Sequence, residues 1–289
     1  MNPLLVVLLF SFGESPIGIV IALAAFFFLG RMLYGIFKDG AKIAKTHQVK
    51  TGTITHSNEA ENAVDYQLRN FAYYRKLSSK GRIAFIRRIL NFLETHTIEG
   101  NGDFEPALSD KIDVSAAAAQ LTFGMPGFMF SHFDRIILYP GAFKIHPDAP
   151  LMKGAAHPNG VIHISIKDFD AGYANPSDKL NVGLHEFAHA LFMELVKHCQ
   201  QEATDVLKTN FTPYMREADK VLNEEKDADF FLRNYAFSNR HEFFAVGIEH
   251  FFEAPKEFKE KIPQLYDALK NLLGQDPAGV LADYGVLLH

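Results

Sequence analysis

Apolar residues fall into three kinds of run along this chain. The first is continuous. Ile17 to Phe37 reads IGIVIALAAFFFLGRMLYGIF, interrupted only by Arg31. About 20 such residues span the hydrocarbon core of a bilayer. Arg31 stands near the end of the run, where it can snorkel to the interface, and Tyr34 suits an aromatic belt. The run predicts one transmembrane helix, a membrane anchor over residues 1–38. A cleavable signal peptide needs a basic stretch ahead of a shorter apolar core, and Met1 to Phe10 has no Lys or Arg. Arg31, Lys38, Lys42 and Lys45 all lie on the C-terminal side of the run or beyond it, while only Glu14 precedes it. The positive-inside rule then predicts a single-pass inner-membrane protein with its C-terminal domain in the cytoplasm.

The second kind recurs every three or four residues. Glu59 to Thr95 predicts two helices, the second carrying Ile83, Ile86, Ile89, Leu90 and Leu93 on one stripe with Arg87 and Arg88 on a solvated face. Ala-rich Val114–Thr122 predicts a helix ending at the GMPG turn, Gly124–Gly127. Leu180, Leu184, Ala188, Leu191 and Leu195 predict a helix capped by Ser177 or Asp178 and running to about His198. Two more helices are expected over about His241–Phe252 and Pro263–Leu273. The third kind alternates. Arg135–Tyr139 and Val161–Ile166 predict strands, the latter with Ile162, Ile164 and Ile166 on one face and His163 and Ser165 on the other. Gly100–Asp103 reads as a turn, and polar, Thr-rich Gly40–Asn58 as a linker, so residues 39–58 join the anchor to a single domain over 59–289. Helices and a few strands in irregular order predict an α+β fold.

Composition narrows the function. The chain has 289 residues, 48% hydrophobic and 22% charged, with a net charge of −5. That suits a domain with an ample core and leaves no broad basic surface, so no nucleic-acid partner is expected. Cys199 is the one cysteine, so no internal disulfide forms; beside an apolar helical run it reads as a half-buried thiol.

The chemistry concentrates in His185-Glu186-Phe187-Ala188-His189. Residues four apart on a helix share a face one turn apart, so both imidazoles can bind one Zn²⁺. Glu186 lies about 100° around the helix from His185. It flanks the metal without binding it and can take a proton from water. The chain has 13 histidines, so the motif alone is not decisive. Its place inside an apolar helical stripe, with a strand upstream that could align an extended peptide, is what gives it weight. Catalytic zinc has three protein ligands and an open position. Glu242 and Glu249 are seven apart on one helix, and spacing does not choose between them. His241 and His250 adjoin them but point elsewhere, and Asp227 and Asp229 read as a solvated acidic stretch.

Several stretches in order resemble one family. They are FAYYRKLSSKGRIAFIRRILNFLETHTIEG (Phe71–Gly100), DVSAAAAQLTFG (Asp113–Gly124), RIILYPGAF (Arg135–Phe143), HEFAHAL (His185–Leu191), NRHEFFAVGIEHFFEAP (Asn239–Pro255) and IPQLY (Ile262–Tyr266). The sequence is similar here to the Mlc titration factor A family of zinc peptidases, whose catalytic core resembles that of anthrax lethal factor. The resemblance implies a mainly helical zincin-like α+β domain with a small sheet, binding one Zn²⁺ per chain and acting on a peptide or protein substrate. It implies Glu242 as the third ligand after His185 and His189, Tyr235 as the donor to the oxyanion, and Glu249 as a residue behind the ligands. It also implies a regulatory protein partner, since a glucose repressor is known for the family. The rival reading is a membrane-tethered protein that sequesters a transcription factor and uses zinc structurally. A structural site, however, takes four protein ligands and has no use for Glu186.

Overall fold

The computed structural model describes residues 57–200, 206–223 and 230–288, which lie within one compact unit, Thr55–His289. The apolar run 17–37 and nearly all of the linker lie outside the described residues, as do Asp227, Asp229 and the Cys199 side chain. Among the described residues no helix is long and apolar enough to cross a membrane.

The chain opens with helices α1 (Asn58–Leu68), α2 (Ala72–Arg75) and α3 (Ser79–Thr95). Ser57 caps α1 by accepting the Ala60 N–H at 3.2 Å, so the linker yields to helix at its last residues. Strand β1 (Thr97–Gly100) leads to α4 (Leu108–Thr122), then β2 (Arg135–Tyr139), β3 (Gly154–His157) and β4 (Val161–Ser165). Helices α5 (Ile166–Ala174), α6 (Val182–Gln200) and α7 (Val206–Asn223) follow. A 3₁₀ turn at Asn234–Ser238 precedes α8 (Arg240–Glu253), α9 (Pro255–Lys261) and α10 (Pro263–Leu273). This is the α+β fold that the pattern predicts, mainly helical with a small sheet as the resemblance implies.

The sheet order is β1-β2-β4-β3, with β1, β2 and β4 parallel and β3 antiparallel to β4. Val161–Ser165 is therefore an interior strand, a correction to its expected role as the edge that meets a peptide. The edge strand beside α6 is β3, which lacks the β-branched residues that mark strands in sequence and owes its conformation to pairing with β4. Ile136, Leu138, Ile162 and Ile164 are fully buried on the sheet face that joins the main core. Helix α6 packs on β3 and β4 and against α4 and α8, with Leu184, Phe187, Ala188, Leu191 and Leu195 buried. Helix α8 is buried along Phe243–Phe251, as expected of a helix apolar nearly all round. Each buried Phe there contributes about 1.5–3 kcal/mol, so its placement is firmly set before any polar contact is made.

A second apolar cluster joins α1, α2, α3 and one face of α4. Here two expectations fail. Ile83 is 50% exposed, and Phe85 and Phe92 take the inward positions beside Ile86 and Ile89. Arg88 leaves the solvated face as well: its guanidinium turns inward to Thr122 Oγ1 at 3.2 Å and to the Met125 and Phe128 carbonyls at 3.1 and 2.8 Å. Arg87 does stay outside, 3.9 Å from Glu61. The GMPG turn meets the end of α10, where Gly274 adopts φ +61° and closes the helix in the left-handed conformation. A Cβ on Gly124 would lie 2.3 Å from the Gly274 carbonyl oxygen, so this contact needs glycine.

Candidate metal centre

The metal helix starts later than the sequence pattern suggests. Asn181, not Ser177 or Asp178, caps α6, its Oδ1 accepting the Leu184 N–H at 3.0 Å. Ser177 and Asp178 bond locally instead, to Asn175 and to the Leu180 N–H, which makes a turn rather than a cap. His185 and His189 then lie on the first two turns of α6. Helix α8 begins with the same device: Asn239 accepts the Glu242 N–H at 3.0 Å and sets Glu242 in the first turn, facing α6.

Among the described residues, His185, His189 and Glu242 form a group whose potential ligand atoms all lie within 4.8 Å of one another. The Nε2 atoms of His185 and His189 are 3.0 Å apart. Glu242 Oε2 lies 3.2 Å from His185 Nε2 and 3.5 Å from His189 Nε2. Ligands about 2.1 Å from a tetrahedral zinc stand about 3.4 Å from one another. Two imidazole nitrogens and a carboxylate oxygen at these separations fit that ion. Glu242 Oε2 is also buried without a geometrically sound hydrogen bond of its own, as an atom reserved for a cation would be.

The electrostatics follow from the same packing. Burial disfavours a charge on His185, but the Glu242 and Glu249 carboxylates outweigh it and push its pKa up to about 10. Burial also opposes the Glu242 carboxylate, yet His185 and His189 hold it well below the usual carboxylate range. At Glu186 burial wins over the two histidines and raises the pKa. Without a cation, His185 and Glu242 thus stabilise each other as an ion pair, and a divalent cation bound there would take the place of the His185 proton.

Glu186 is 6% exposed and its Oε2 has no hydrogen-bond partner. Its carboxylate packs on β3. A Cβ on Gly154 would lie 2.5 Å from both Glu186 Cγ and Oε1, and the Ala156 N–H hydrogen-bonds the carboxylate. The register pairs Ala155 with His163, and the Ser165 N–H bonds the Lys153 carbonyl. Alternation then turns the polar backbone of Gly154 and Ala156 outward, along the open edge beside Glu186. Tyr235, on the 3₁₀ turn, is 56% exposed, with its ring 6.5 Å from that of His185. Burial, then the Glu242 charge and a hydrogen bond to it, raise its pKa.

The five predicted residues His185, Glu186, His189, Tyr235 and Glu242 therefore converge. Glu249 sits behind His185 rather than beside the other ligand atoms, its Oε2 meeting Nδ1 at 3.2 Å. His250 is fully buried and bonds the Val246 carbonyl at 2.8 Å, while His241 packs on Phe192 at 4.5 Å; neither joins the cluster. The sequence pattern missed Arg233, Asn181, Gly154 and Ala156. Asn181 carries a readable signal, an Asn just ahead of an apolar helical stripe. The other three act through tertiary contacts with no local signature.

The chain is 24% identical over 235 residues to the uncharacterized protein slr2042 of Synechocystis sp., a match covering 71% of this chain and 80% of that one. Residues 44–273, a span that contains every helix and strand from α1 to α10, match the family described as glucose-regulated metallo-peptidase M90. Over most of its length, including both helices of the candidate metal centre, the chain belongs to the glucose-regulated metallo-peptidase M90 family.

Proposed function

We propose that this protein is a zinc-dependent peptidase, with His185, His189 and Glu242 as ligands, Glu186 as general base and Tyr235 as donor to the oxyanion. The observation that carries the proposal is the convergence of three ligand atoms at 3.0–3.5 Å with a buried, half-unpartnered carboxylate on the same helix. When bound, the ion would supply Lewis acidity and lower the pKa of a nearby water. Glu186 takes a proton from the attacking water and delivers it to the leaving amine as the peptide bond breaks. Tyr235 donates to the oxygen that gains charge at the scissile carbonyl. The outward backbone groups of Gly154 and the outward carbonyl of Ala156 pair with an extended substrate, while the Ala156 N–H stays on Glu186; this gives recognition through the main chain with little sequence preference. The cluster offers three protein ligands among the described residues, which favours an open catalytic position over a closed structural site.

The test compares Glu186→Gln and His185→Ala with the wild type in metal content and in peptide hydrolysis, with and without a chelator. Glu186→Gln is expected to retain one zinc per chain and lose about 10²–10⁴-fold in turnover; His185→Ala is expected to lose both. Unchanged turnover in Glu186→Gln, or full zinc occupancy in His185→Ala, defeats the reading.

A further inference from the structure

One buried carboxylate fastens three parts of this site together. Glu249 lies on α8, two turns beyond Glu242, with its side chain 3% exposed. Its Oε1 accepts the backbone N–H of Asn181, the cap of α6, at 2.8 Å. Its Oε2 meets His185 Nδ1 at 3.2 Å and also accepts Arg233 Nη2. Arg233 stands at the head of the Asn234–Ser238 turn, two residues before Tyr235, and its carbonyl accepts the Ala236 N–H at 2.9 Å. We propose that Glu249 and Arg233 are positioning residues. Glu249 sets the orientation and tautomer of His185, and its ion pair with Arg233 holds the Tyr235 turn in register with the metal ligands. This rests on the peptidase reading above.

A purely structural role does not account for the arrangement. Apolar replacement of a buried ion pair is often neutral or stabilising, so burial of the Glu249–Arg233 pair does not by itself mark a structural role. The loop before α6 is already held by Glu253, which accepts the Lys179 N–H at 2.8 Å and the Asn181 side chain at 3.1 Å. The start of α6 is already capped by Asn181. What Glu249 adds is contact with His185 and with Arg233. A carboxylate accepting Nδ1–H leaves the His185 Nε2 lone pair facing His189 and Glu242, the arrangement a metal ligand needs. Tyr235 is 56% exposed, so its place depends on the backbone of its turn more than on packing. Arg233 is the residue that ties this turn to Glu249.

A double-mutant cycle separates this from a general loss of structure. Arg233→Met keeps the aliphatic stem and removes the ion pair. It is expected to retain zinc, leave KM nearly unchanged and lower kcat by up to the roughly 10²–10³-fold expected of Tyr235→Phe. The combination Arg233→Met with Tyr235→Phe is expected to be no slower than Tyr235→Phe alone. Multiplying effects would show that Arg233 does not act through Tyr235 and would overturn that half of the proposal. In metal-free protein, limited proteolysis within residues 230–238 is expected to be faster for Arg233→Met than for the wild type; equal rates overturn it as well. Glu249→Gln is expected to weaken zinc binding about 10–100-fold in a chelator competition, and unchanged affinity removes Glu249 from this role. If Tyr235→Phe turns over at the wild-type rate, the oxyanion assignment falls, and the proteolysis and zinc-affinity measurements still decide the positioning roles.

Discussion

The α3–α4 helical layer and the α6–α8 pair each bury a charge, and they use it differently. Arg88 in the first layer meets one hydroxyl and two backbone carbonyls. Those acceptors lie at and just beyond the C-terminus of α4, where the helix dipole favours a cation. None of these acceptors titrates, so the contact works only as a clamp between α3 and the turn that follows α4. Glu249 in the second region meets a guanidinium, an imidazole and the backbone N–H of Asn181, the residue that caps α6. Its partners are themselves ionisable and lead directly to the other ligand atoms. A buried charge among neutral backbone groups marks a structural joint; one among convergent titratable groups marks chemistry.

The sharpest way to break this contrast is to move Glu186 without removing it. The carboxylate packs on Gly154 of the edge strand, where an added methyl group would lie 2.5 Å from Cγ and Oε1. In Gly154→Ala the backbone is held by β4 and the carboxylate must give way. Turnover should fall about 10²-fold or more, within the range typical for loss of a general base, while zinc content stays at the wild-type level. Adding Glu186→Gln to this variant should cause little further loss. Wild-type turnover in Gly154→Ala would separate the edge strand from the chemistry.

Next in size is Arg88. Hydrogen bonds to a charged group contribute about 1.5–3 kcal/mol each, and breaking one leaves buried acceptors unpaired. Arg88→Met should therefore destabilise the fold by about 3 kcal/mol in urea titration, with zinc affinity and turnover per folded molecule unchanged. A loss of zinc affinity at equal folded fraction would blur the distinction between the two regions.

How far the sequence foretold these regions depends on what each element needed. Arg135–Tyr139 and Pro263–Leu273 match their predicted limits, and α8 differs by one residue at each end, because periodic apolar residues dominate their environment. Gly154–His157 has small residues and no alternation, so only its partner strand makes it a strand. The order β1-β2-β4-β3 is likewise a property of pairing, which is why Val161–Ser165 is expected to align a peptide and instead lies inside the sheet. Ile166 was expected to continue that strand, yet it opens α5, whose cap Ser165 hydrogen-bonds both the Asp168 carboxylate and its N–H. That Ser-x-x-Asp spacing resembles a capping box and was legible. At the metal centre, HEFAH is read directly from helix geometry, whereas Glu242 and Glu249 share a helix face and differ only in which side of His185 they approach. Adjacent Arg87 and Arg88 pose the same problem, since helical period alone does not show that a long side chain will curl inward.

The smallest expected effect tests the helical layer from its polar side. Asp113 on α4 accepts from Gln67 Nε2 at 2.7 Å and lines a cavity of about 550 Å³ with Phe71, Asp170 and Tyr173. Burial pushes its pKa up to about 6; the Gln67 hydrogen bond pulls the other way, and the charges of Asp170 and Asp110 add to the rise. The unfolded value is about 3.9, so between about pH 4 and pH 6 the folded chain binds more protons here than the unfolded chain. Stability contributed by this group must then fall as pH rises through that window and stay low above it. Asp113→Asn removes the dependence while keeping an acceptor for Gln67. Its melting temperature should exceed the wild type's by a few degrees at pH 7.5, the two should converge near pH 4, and zinc affinity should be the same in both proteins. A wild-type advantage at pH 7.5 would mean that the carboxylate is stabilised where it lies. Asp113 would then be a paired charge like Glu249, and the contrast between the two regions would narrow to their distance from the metal ligands.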